Sequence, residues 1–254
     1  MPTTARFSIA PVRSLGLEHP RQIDLTEVGV VQDRRFYLVD DTGRLVDRLV
    51  VGELVQVATH TDREATKLRM TFPDGTVIDD KVRLREPVAT DVYGRTAVGH
   101  AVEGPWAEPL SALAGRRLRL IRCDRPGGTR DGNSASLVSD GSLRELARHA
   151  GVASVDGRRF RMLIELEGAE AHEEDTWIGI RIKIGSAILA VTKPDARCAI
   201  TTQDPDTGVR DLDTLRTLIT YRGLRDDKYA DFGVLAEVEK PGRIRLGDAV
   251  NLLD

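Results

Sequence analysis

Short apolar runs separated by turn signals are the feature that most constrains what this chain can fold into. In the first hundred residues such runs stand at 36–39, 67–72 and 88–92, with D-T-G at 41–43 and P-D-G at 73–75 as turn sequences between them. Short strands at this spacing, with few helical patterns, favour a β-barrel or sandwich. The same pattern returns in the second half. The sequence therefore predicts a mainly β (α+β) chain with two β-barrel-like parts and a few short helices.

Three helices interrupt this pattern. The first is predicted at 106–115, where Gly115 is the stop signal. The second is predicted to begin at Ser142, because S-L-R-E at 142–145 fits a capping box. The third falls within 209–221. We place the boundary between the two parts at residue 115, giving domains 1–115 and 116–254.

Composition excludes several function classes. The chain has 254 residues, 41% of them hydrophobic, and a formal net charge of -3, so it has no general affinity for nucleic acid or an anionic membrane. No apolar run reaches the roughly 18 residues of a membrane span, and no signal peptide is visible. Two cysteines fit a reducing compartment. These features predict a cytoplasmic protein with no membrane partner.

The segment K-P-D-A-R-C-A-I-T-T-Q-D-P-D-T-G at 193–208 carries one of the two cysteines, Cys198. Arg197 precedes it, and a guanidinium beside a sulfur favours the thiolate, the form that attacks electrophiles or binds soft metals. The alternative is that Cys198 is a small buried core residue, which is the interpretation for Cys123. The residues around Cys198 distinguish the two cysteines.

R-C-A-I-T-T-Q-D-P-D-T-G resembles the cysteine segment of the MOSC-domain family, in the two-part subgroup that includes the mitochondrial amidoxime-reducing components and their bacterial relatives. Other matches follow in the same order along the chain. P-V-R-S at 11–14 resembles a P-[VI]-K-S motif, D-R at 33–34 resembles a signature of the N-terminal barrel domain, and R-F-R at 159–161 resembles an anion-binding segment. P-G-R-I-R-L-G-D at 241–248 is similar to the family's ending.

The resemblance implies a molybdenum cofactor (molybdopterin) between the two β-rich parts, with Cys198 as both metal ligand and catalytic residue. It also implies cofactor contacts from arginines and hydroxyls: Arg13, Ser14, Arg34, Ser136, Ser139, Arg161, Arg197, Thr201 and Thr202. Backbone N–H groups at a helix start near Ser136 and Ser139 can hold a phosphate. The alternative is that these serines only cap the helix. Asp204 is a candidate proton donor or pocket residue.

The implied reaction is two-electron reduction of N-hydroxylated small molecules, with release of water. The chain carries no cysteine cluster for an iron–sulfur centre. Electrons would therefore come from a separate donor protein, either ferredoxin-like or cytochrome b5-like with its reductase. The pyridoxal-phosphate domain of the cofactor sulfurases is missing, so pyridoxal phosphate is not expected.

Some residues depart from the family pattern. Arg13 stands where the family has Lys, and Met162-Leu163 replaces a Pro-Asn pair. An apolar pair cannot supply the amide hydrogen bonds of Asn. A non-catalytic carrier of the cofactor or its sulfur, and a β-barrel interaction protein without metal, therefore remain alternatives. The polar stretch 124–136 is interpreted as a mobile lid, and the acidic run at 173–175 as a solvated loop with Trp177 as a packing anchor.

Overall fold

The computed structural model describes residues 1–130 and 133–253. It is mainly β, as predicted. Its strands are β1 Thr3–Phe7, β2 Gln22–Leu25, β3 Phe36–Val39, β4 Leu45–Val46, β5 Ala58–Thr61, β6 Lys67–Thr71, β7 Val77–Lys81, β8 Arg83–Val92, β9 Arg95–Glu103, β10 Arg119–Cys123, β11 Ala135–Ser139, β12 Ile164–Glu167, β13 Arg181–Ile184, β14 Ala187–Arg197, β15 Ala230–Lys240, β16 Gly242–Arg245 and β17 Val250–Leu253.

The largest sheet has seven strands in the order β1-β12-β11-β15-β14-β13-β17. β11 and β12 run parallel, and the other ladders of this sheet are antiparallel. Alternate residues such as Leu137, Leu189 and Val234 are fully buried and form one core cluster with Trp177. The long pair β14–β15 matters most for the site, because β14 ends at Arg197, one residue before Cys198.

A second sheet has five strands in the order β4-β3-β10-β9-β8, and β5-β6-β7 form a smaller three-stranded sheet. The core of the five-stranded sheet combines Phe36 and Leu38 of β3 with Leu120 of β10 and with Trp106. β8 and β9 form a long hairpin that closes with a two-residue turn at Tyr93-Gly94, where both residues have positive φ, as a type I′ turn requires.

The two large sheets exchange strands across the predicted boundary at residue 115. β10 lies beyond it in sequence but pairs with β3 and β9 of the N-terminal part. In the other direction, β1 pairs with β12, and β2 pairs with β16. The halves are thus joined by backbone hydrogen bonds, which holds residues from both at fixed positions around the site.

The helices are α1 Ala107–Ala114, α2 Asp140–Ala150 and α3 Thr214–Arg222. Gly115 ends α1 in the left-handed conformation, as predicted. The predicted start of α2 is wrong: the N-cap is Ser139, whose side chain accepts from the Ser142 N–H. Glu145 is not part of a capping box, because its carboxylate pairs with Arg148 and His149 instead.

Four 3-10 turns complete the fold: Gly52–Gln56, Gly157–Phe160, Glu173–Trp177 and Ala199–Thr202. None of the helices in the described ranges is both long and apolar enough to cross a membrane.

Candidate functional site

A cavity of about 390 Å³ lies where segments of both halves meet. Eight of the eleven predicted site residues line it: Arg13, Ser14, Arg34, Ser136, Arg161, Arg197, Cys198 and Thr201. These residues come from positions up to 188 apart in sequence, so the fold assembles them. The other three, Ser139, Thr202 and Asp204, are not among the lining residues.

The backbone is strained at this cavity. Ser14, Arg34, Tyr93 and Arg161 all line it, and all have positive φ, at 72°, 53°, 53° and 53°. Left-handed backbone is uncommon for residues other than glycine and tends to persist where function requires a particular side-chain direction. These four residues are half of the eight described non-glycine residues with positive φ. The concentration of strain supports a functional role for the cavity.

Asp33 organises one wall. Its carboxylate accepts from the Ala10 N–H at 2.8 Å, from Arg130 Nε at 3.2 Å and from Arg34 Nη1. Burial opposes ionisation of Asp33, but Arg34 and Arg130 outweigh it and lower its pKa. Arg130 also donates to the carbonyls of Val28 and Val30. The hydrogen bonds of Arg130 therefore stabilise the fold. The bond from Arg34 Nη1 to Asp33 instead orients the Arg34 side chain at the cavity.

Arg161 forms the floor. It is 9% exposed, and its Nη2 donates to the Leu15 carbonyl at 2.7 Å. Its Nη1 is buried and finds no acceptor among the described residues. Burial, followed by the charges of Arg48 and Arg34, holds the pKa of Arg161 well below its usual value. Since arginine keeps its proton in proteins, this environment favours binding of an anion.

Arg48 belongs to the same floor and was missed from the sequence. It is fully buried, and burial together with Arg159 lowers its pKa to about 10. Its Nε donates to Gln203 Oε1 at 2.8 Å, and Gln203 Nε2 donates back to the Arg48 carbonyl at 2.6 Å. Its Nη1 has no acceptor in the described part of the chain. One sequence signal existed: Asp47-Arg48 repeats the D-R pair of 33–34 after a short strand.

Arg197 lines the cavity, but its guanidinium already has partners within the protein. Its guanidinium donates to Asp195 and to the Phe160 carbonyl, and it lies 5.5 Å from the Phe160 ring centroid. Met162 Sδ contacts both terminal nitrogens, at 3.1 and 3.4 Å. The expected pairing of Arg197 with the thiol is not among these contacts. Adjacent residues at a strand end point to opposite sides, which separates Arg197 from its neighbour Cys198.

Cys198 is exposed and immediately follows β14. Thr201 Oγ1 donates to its carbonyl at 3.1 Å, and Thr214 Oγ1 donates to Thr201 Oγ1 at 2.8 Å. Cys198 and Arg48 line the same cavity. The thiol therefore shares the cavity with the buried arginines, although it is not among the contacts that the structure shows for Arg197.

Thr202 and Asp204 support the loop that follows. Thr202 donates to the Ala199 carbonyl at 2.7 Å. Asp204 Oδ1 accepts from the N–H groups of Asp206 and Thr207 and from the Thr207 hydroxyl. Although burial opposes it, these bonds lower the pKa of Asp204. Its position suits a turn-forming carboxylate better than a proton donor.

Ser139 lies at the start of α2, where a phosphate was expected, but a side chain fills that position. Glu174 is fully buried and accepts from the Ser139 N–H, the Ser139 hydroxyl and the Ser142 hydroxyl, at 3.1, 2.7 and 2.7 Å. The interpretation of 173–175 as a solvated loop is therefore wrong for Glu174, while Trp177 is buried as expected. Ser136 stays at the cavity, where its Oγ accepts from the Leu163 N–H.

Part of the predicted lid at 124–136 is a buried wall, whereas Asp124, Arg125 and Gly128 are exposed. Thr129 and Arg130 are buried, and the Thr129 carbonyl accepts from Arg13. Residues 131–132 lie outside the described residues. Cys123 is buried beneath this wall, and burial raises the pKa of its thiol to about 11, in agreement with a core role.

Comparison with known families covers nearly the whole chain. The MOSC N-terminal beta barrel domain matches residues 1–105, and the MOSC domain matches residues 126–251. The chain belongs to the MOSC family. The predicted boundary at residue 115 falls between the two matched regions.

Named MOSC relatives align over the full chain. Mitochondrial amidoxime reducing component 2 of Homo sapiens is 41% identical over 282 aligned positions, covering 98% of this chain and 82% of the relative. Mitochondrial amidoxime-reducing component 1 of Mus musculus is 24% identical, covering 99% and 82%. A molybdenum cofactor sulfurase of Caenorhabditis briggsae is 26% identical, covering 98% of this chain and 36% of the relative. These names associate the MOSC relatives with amidoxime reduction and with the molybdenum cofactor.

The cavity of this MOSC chain fits an anionic cofactor with a soft metal. Three buried guanidinium nitrogens around it, Arg48 Nη1, Arg161 Nη1 and Arg197 Nε, have no acceptor among the described residues. Phosphate oxygens would satisfy such donors. No group of three or more His, Cys, Asp or Glu in the described ranges could hold a metal ion. A metal at Cys198 would therefore need further ligands from a cofactor.

Proposed function

We propose that this chain binds a molybdenum–pterin cofactor in the cavity and reduces N-hydroxylated small molecules. The observation that carries the proposal is the polarity of the cavity. The exposed Cys198 thiol shares it with a buried cationic floor whose Nη1 atoms on Arg48 and Arg161 lack acceptors in the described structure.

The residues divide by ligand chemistry. A phosphate suits Arg34, Arg48 and Arg161 together with the Ser14 hydroxyl, because charge-assisted hydrogen bonds to phosphate are strong and arginine presents a fork of donors. A soft metal suits the Cys198 thiolate. When bound, the cofactor would supply two-electron redox chemistry at its metal.

In the proposed reaction an amidoxime or hydroxylamine takes up two electrons and two protons. The N–O bond breaks, an N–H bond replaces it, and the oxygen leaves as water. Cys198 is exposed, so the outer end of the cavity is open to solvent, which supplies the protons. The buried floor excludes water from the other end.

The electrons come, in this proposal, from a separate protein of the ferredoxin type or of the cytochrome b5 type with its reductase. The chain has two cysteines, of which Cys123 is buried, so the described residues offer no cysteine cluster for an iron–sulfur centre. The exposure of Cys198 suits a transient encounter with a donor.

A non-catalytic role as cofactor or sulfur carrier is the second candidate. Met162 favours it, because its Sδ occupies the terminal nitrogens of Arg197 at 3.1 and 3.4 Å. That contact withdraws the two terminal nitrogens of Arg197 from a ligand and leaves only its Nε. In this case the protein would hold molybdenum without reducing a substrate.

The activity test uses protein produced in a host that makes the cofactor. An aryl amidoxime is incubated with the protein and a chemically reduced low-potential dye, and the amidine product is quantified. We expect turnover by wild type and its loss in Cys198→Ala, with Cys123→Ala as the matched thiol control. Molybdenum-loaded wild type without amidine formation would favour the carrier.

A further inference from the structure

Four residues of the cavity lining are exposed: Leu49, Tyr93, Ala196 and Cys198. We call these four residues the mouth. The remaining lining residues are buried or half-buried, and the arginines lie among them. A substrate arriving from solvent therefore meets Cys198 beside three side chains that present mainly apolar surface.

A single buried carboxylate fixes the two larger members of the mouth. Asp47 accepts from the Leu49 N–H at 2.9 Å through Oδ1 and from the Tyr93 hydroxyl through Oδ2. Asp47 is buried, so this junction is not a chance surface contact. Because the Tyr93 hydroxyl is used, the ring is the part of the side chain left for a ligand.

The backbone conformation at Tyr93 is energetically unfavourable for a residue other than glycine or asparagine. The ten-residue strand β8 and its partner β9 carry Tyr93 to the cavity in a two-residue turn, where its φ of 53° is left-handed. Asn or Gly is the usual residue at such a position. Arg13 lies over the ring at 5.4 Å from its centroid, which orients the ring further. Tyr93 is nevertheless 57% exposed, and Leu49 is 37% exposed.

We propose that Leu49 and Tyr93 form an apolar subsite that binds an aryl substituent of the substrate next to Cys198, so that aryl N-hydroxylated compounds are preferred over small alkyl ones. This inference rests on the proposed function, because it takes Cys198 as the reacting end of the cavity. The fixed ring and the Leu49 side chain offer two apolar surfaces held by the same anchor. Contact with a flat aryl group would bury both, whereas a methyl group is too small to reach them.

The test compares two amidoximes that share the reacting group, one with a phenyl and one with a methyl substituent. For each, kcat and KM are measured with holoprotein and the reduced dye. Tyr93→Asn removes the ring but keeps a residue that tolerates left-handed backbone. Leu49→Ala removes the second surface. Tyr93→Phe keeps the ring without the bond to Asp47.

We expect the phenyl-to-methyl ratio of kcat/KM to fall about tenfold in Tyr93→Asn, mainly through KM for the phenyl compound, and to fall less in Leu49→Ala. Tyr93→Phe should keep the ratio within about threefold. The control is Val98→Asn, since Val98 is an exposed residue of the same hairpin that does not line the cavity. Its ratio should match that of wild type.

An unchanged ratio in Tyr93→Asn and Leu49→Ala would overturn the inference, as would an equal loss for both substrates. If wild type turns over neither compound, the proposed reaction fails, and calorimetric binding of the phenyl amidoxime then decides the subsite. Tighter binding by wild type than by Tyr93→Asn, by about tenfold, would keep the subsite. Equal or absent binding would remove it.

Discussion

At the scale of single residues, the site depends on arginines that the fold holds in an unfavourable environment. Arg48 and Arg161 are buried next to each other's charge, and each leaves Nη1 without an acceptor in the described structure. Leaving charged donors unsatisfied costs more than an ordinary lost hydrogen bond. A protein that keeps both arginines in this state is organised for an anionic ligand.

Inorganic phosphate should therefore stabilise the cofactor-free protein. At ten times its Kd a ligand adds about 1.4 kcal/mol, or roughly 3–6 °C in Tm for a domain of this size. We expect such a shift with phosphate over chloride at equal ionic strength, measured by thermal unfolding. Arg161→Met should lose the shift, yet without phosphate its Tm should stay equal or rise, because an apolar side chain replaces an unpaired buried charge.

The matched control for Arg161→Met is Arg83→Met, which removes an exposed arginine far from the cavity and should keep the shift. Equal phosphate shifts in wild type and Arg161→Met would show that the buried floor is not an anion site.

At the scale of elements, the segment after β14 is held by side chains from elsewhere in the chain. Arg48 and Gln203 exchange hydrogen bonds, and Arg159 forms a bidentate pair with Asp211 at 2.7 Å for both bonds. Arg159 comes from the 3-10 turn that precedes Arg161. The anion floor and the cysteine segment are thus mechanically joined.

Breaking the Arg48–Gln203 exchange should loosen the cysteine segment. Gln203→Leu has a similar volume but leaves Arg48 Nε and the Arg48 carbonyl without partners, at a cost of about 1–3 kcal/mol. We expect that loss in urea unfolding, together with faster hydrogen exchange over 198–208. Asp206→Asn is the control: the Asp206 carboxylate that pairs with Arg158 is exposed, so the expected cost is below about 1 kcal/mol. Equal effects of the two substitutions would contradict this account.

Glu174 at the start of α2 should make stability depend on pH. Burial raises its pKa above the ordinary value of 4.5, although the Ser139 and Ser142 hydrogen bonds oppose the shift. In the window above 4.5 the folded state keeps a proton that the unfolded state has released, so stability falls as pH rises. Glu174→Gln lacks this titration.

Glu174→Gln should therefore match wild type near pH 4, because Gln is the isostere of the neutral carboxyl and its amide oxygen still accepts from the Ser139 N–H and the Ser142 hydroxyl. Toward pH 7 only wild type loses stability, so a gap in favour of Glu174→Gln should open. Urea unfolding of both proteins at several pH values measures it. A gap that stays constant over this range would show that burial does not raise the pKa of Glu174.

Local sequence patterns predicted the secondary-structure elements better than they predicted contacts between residues distant in sequence. The ends of α1, the burial of Trp177 and the cavity residues Arg13, Ser14, Arg34, Arg161 and Cys198 followed from turn signals and motifs. Arg48 did not, because an arginine in sequence is normally read as a surface residue. Ser139 was misassigned because the buried partner that fills the helix start, Glu174, lies 35 residues away.

At the scale of the whole molecule, the two halves form one structure around the cavity. β10 completes the N-terminal sheet and β1 completes the C-terminal one, so neither half has its full set of strands within its own sequence range. The cavity takes Arg13, Arg34 and Arg48 from one half and Arg161 and Cys198 from the other. Relative motion of the halves would separate these arginines from Cys198, and the backbone hydrogen bonds of the exchanged strands oppose it.

The central claim is that the cavity holds a molybdenum–pterin cofactor through Cys198 and the arginine floor. The most direct measurement is molybdenum by elemental mass spectrometry, with pterin quantified as its oxidised fluorescent product, in protein from a host that makes the cofactor. The account predicts near-stoichiometric metal and pterin in wild type, sharply reduced metal in Cys198→Ala, and loss of both in Arg161→Met. Folded wild type that contains neither metal nor pterin would contradict it.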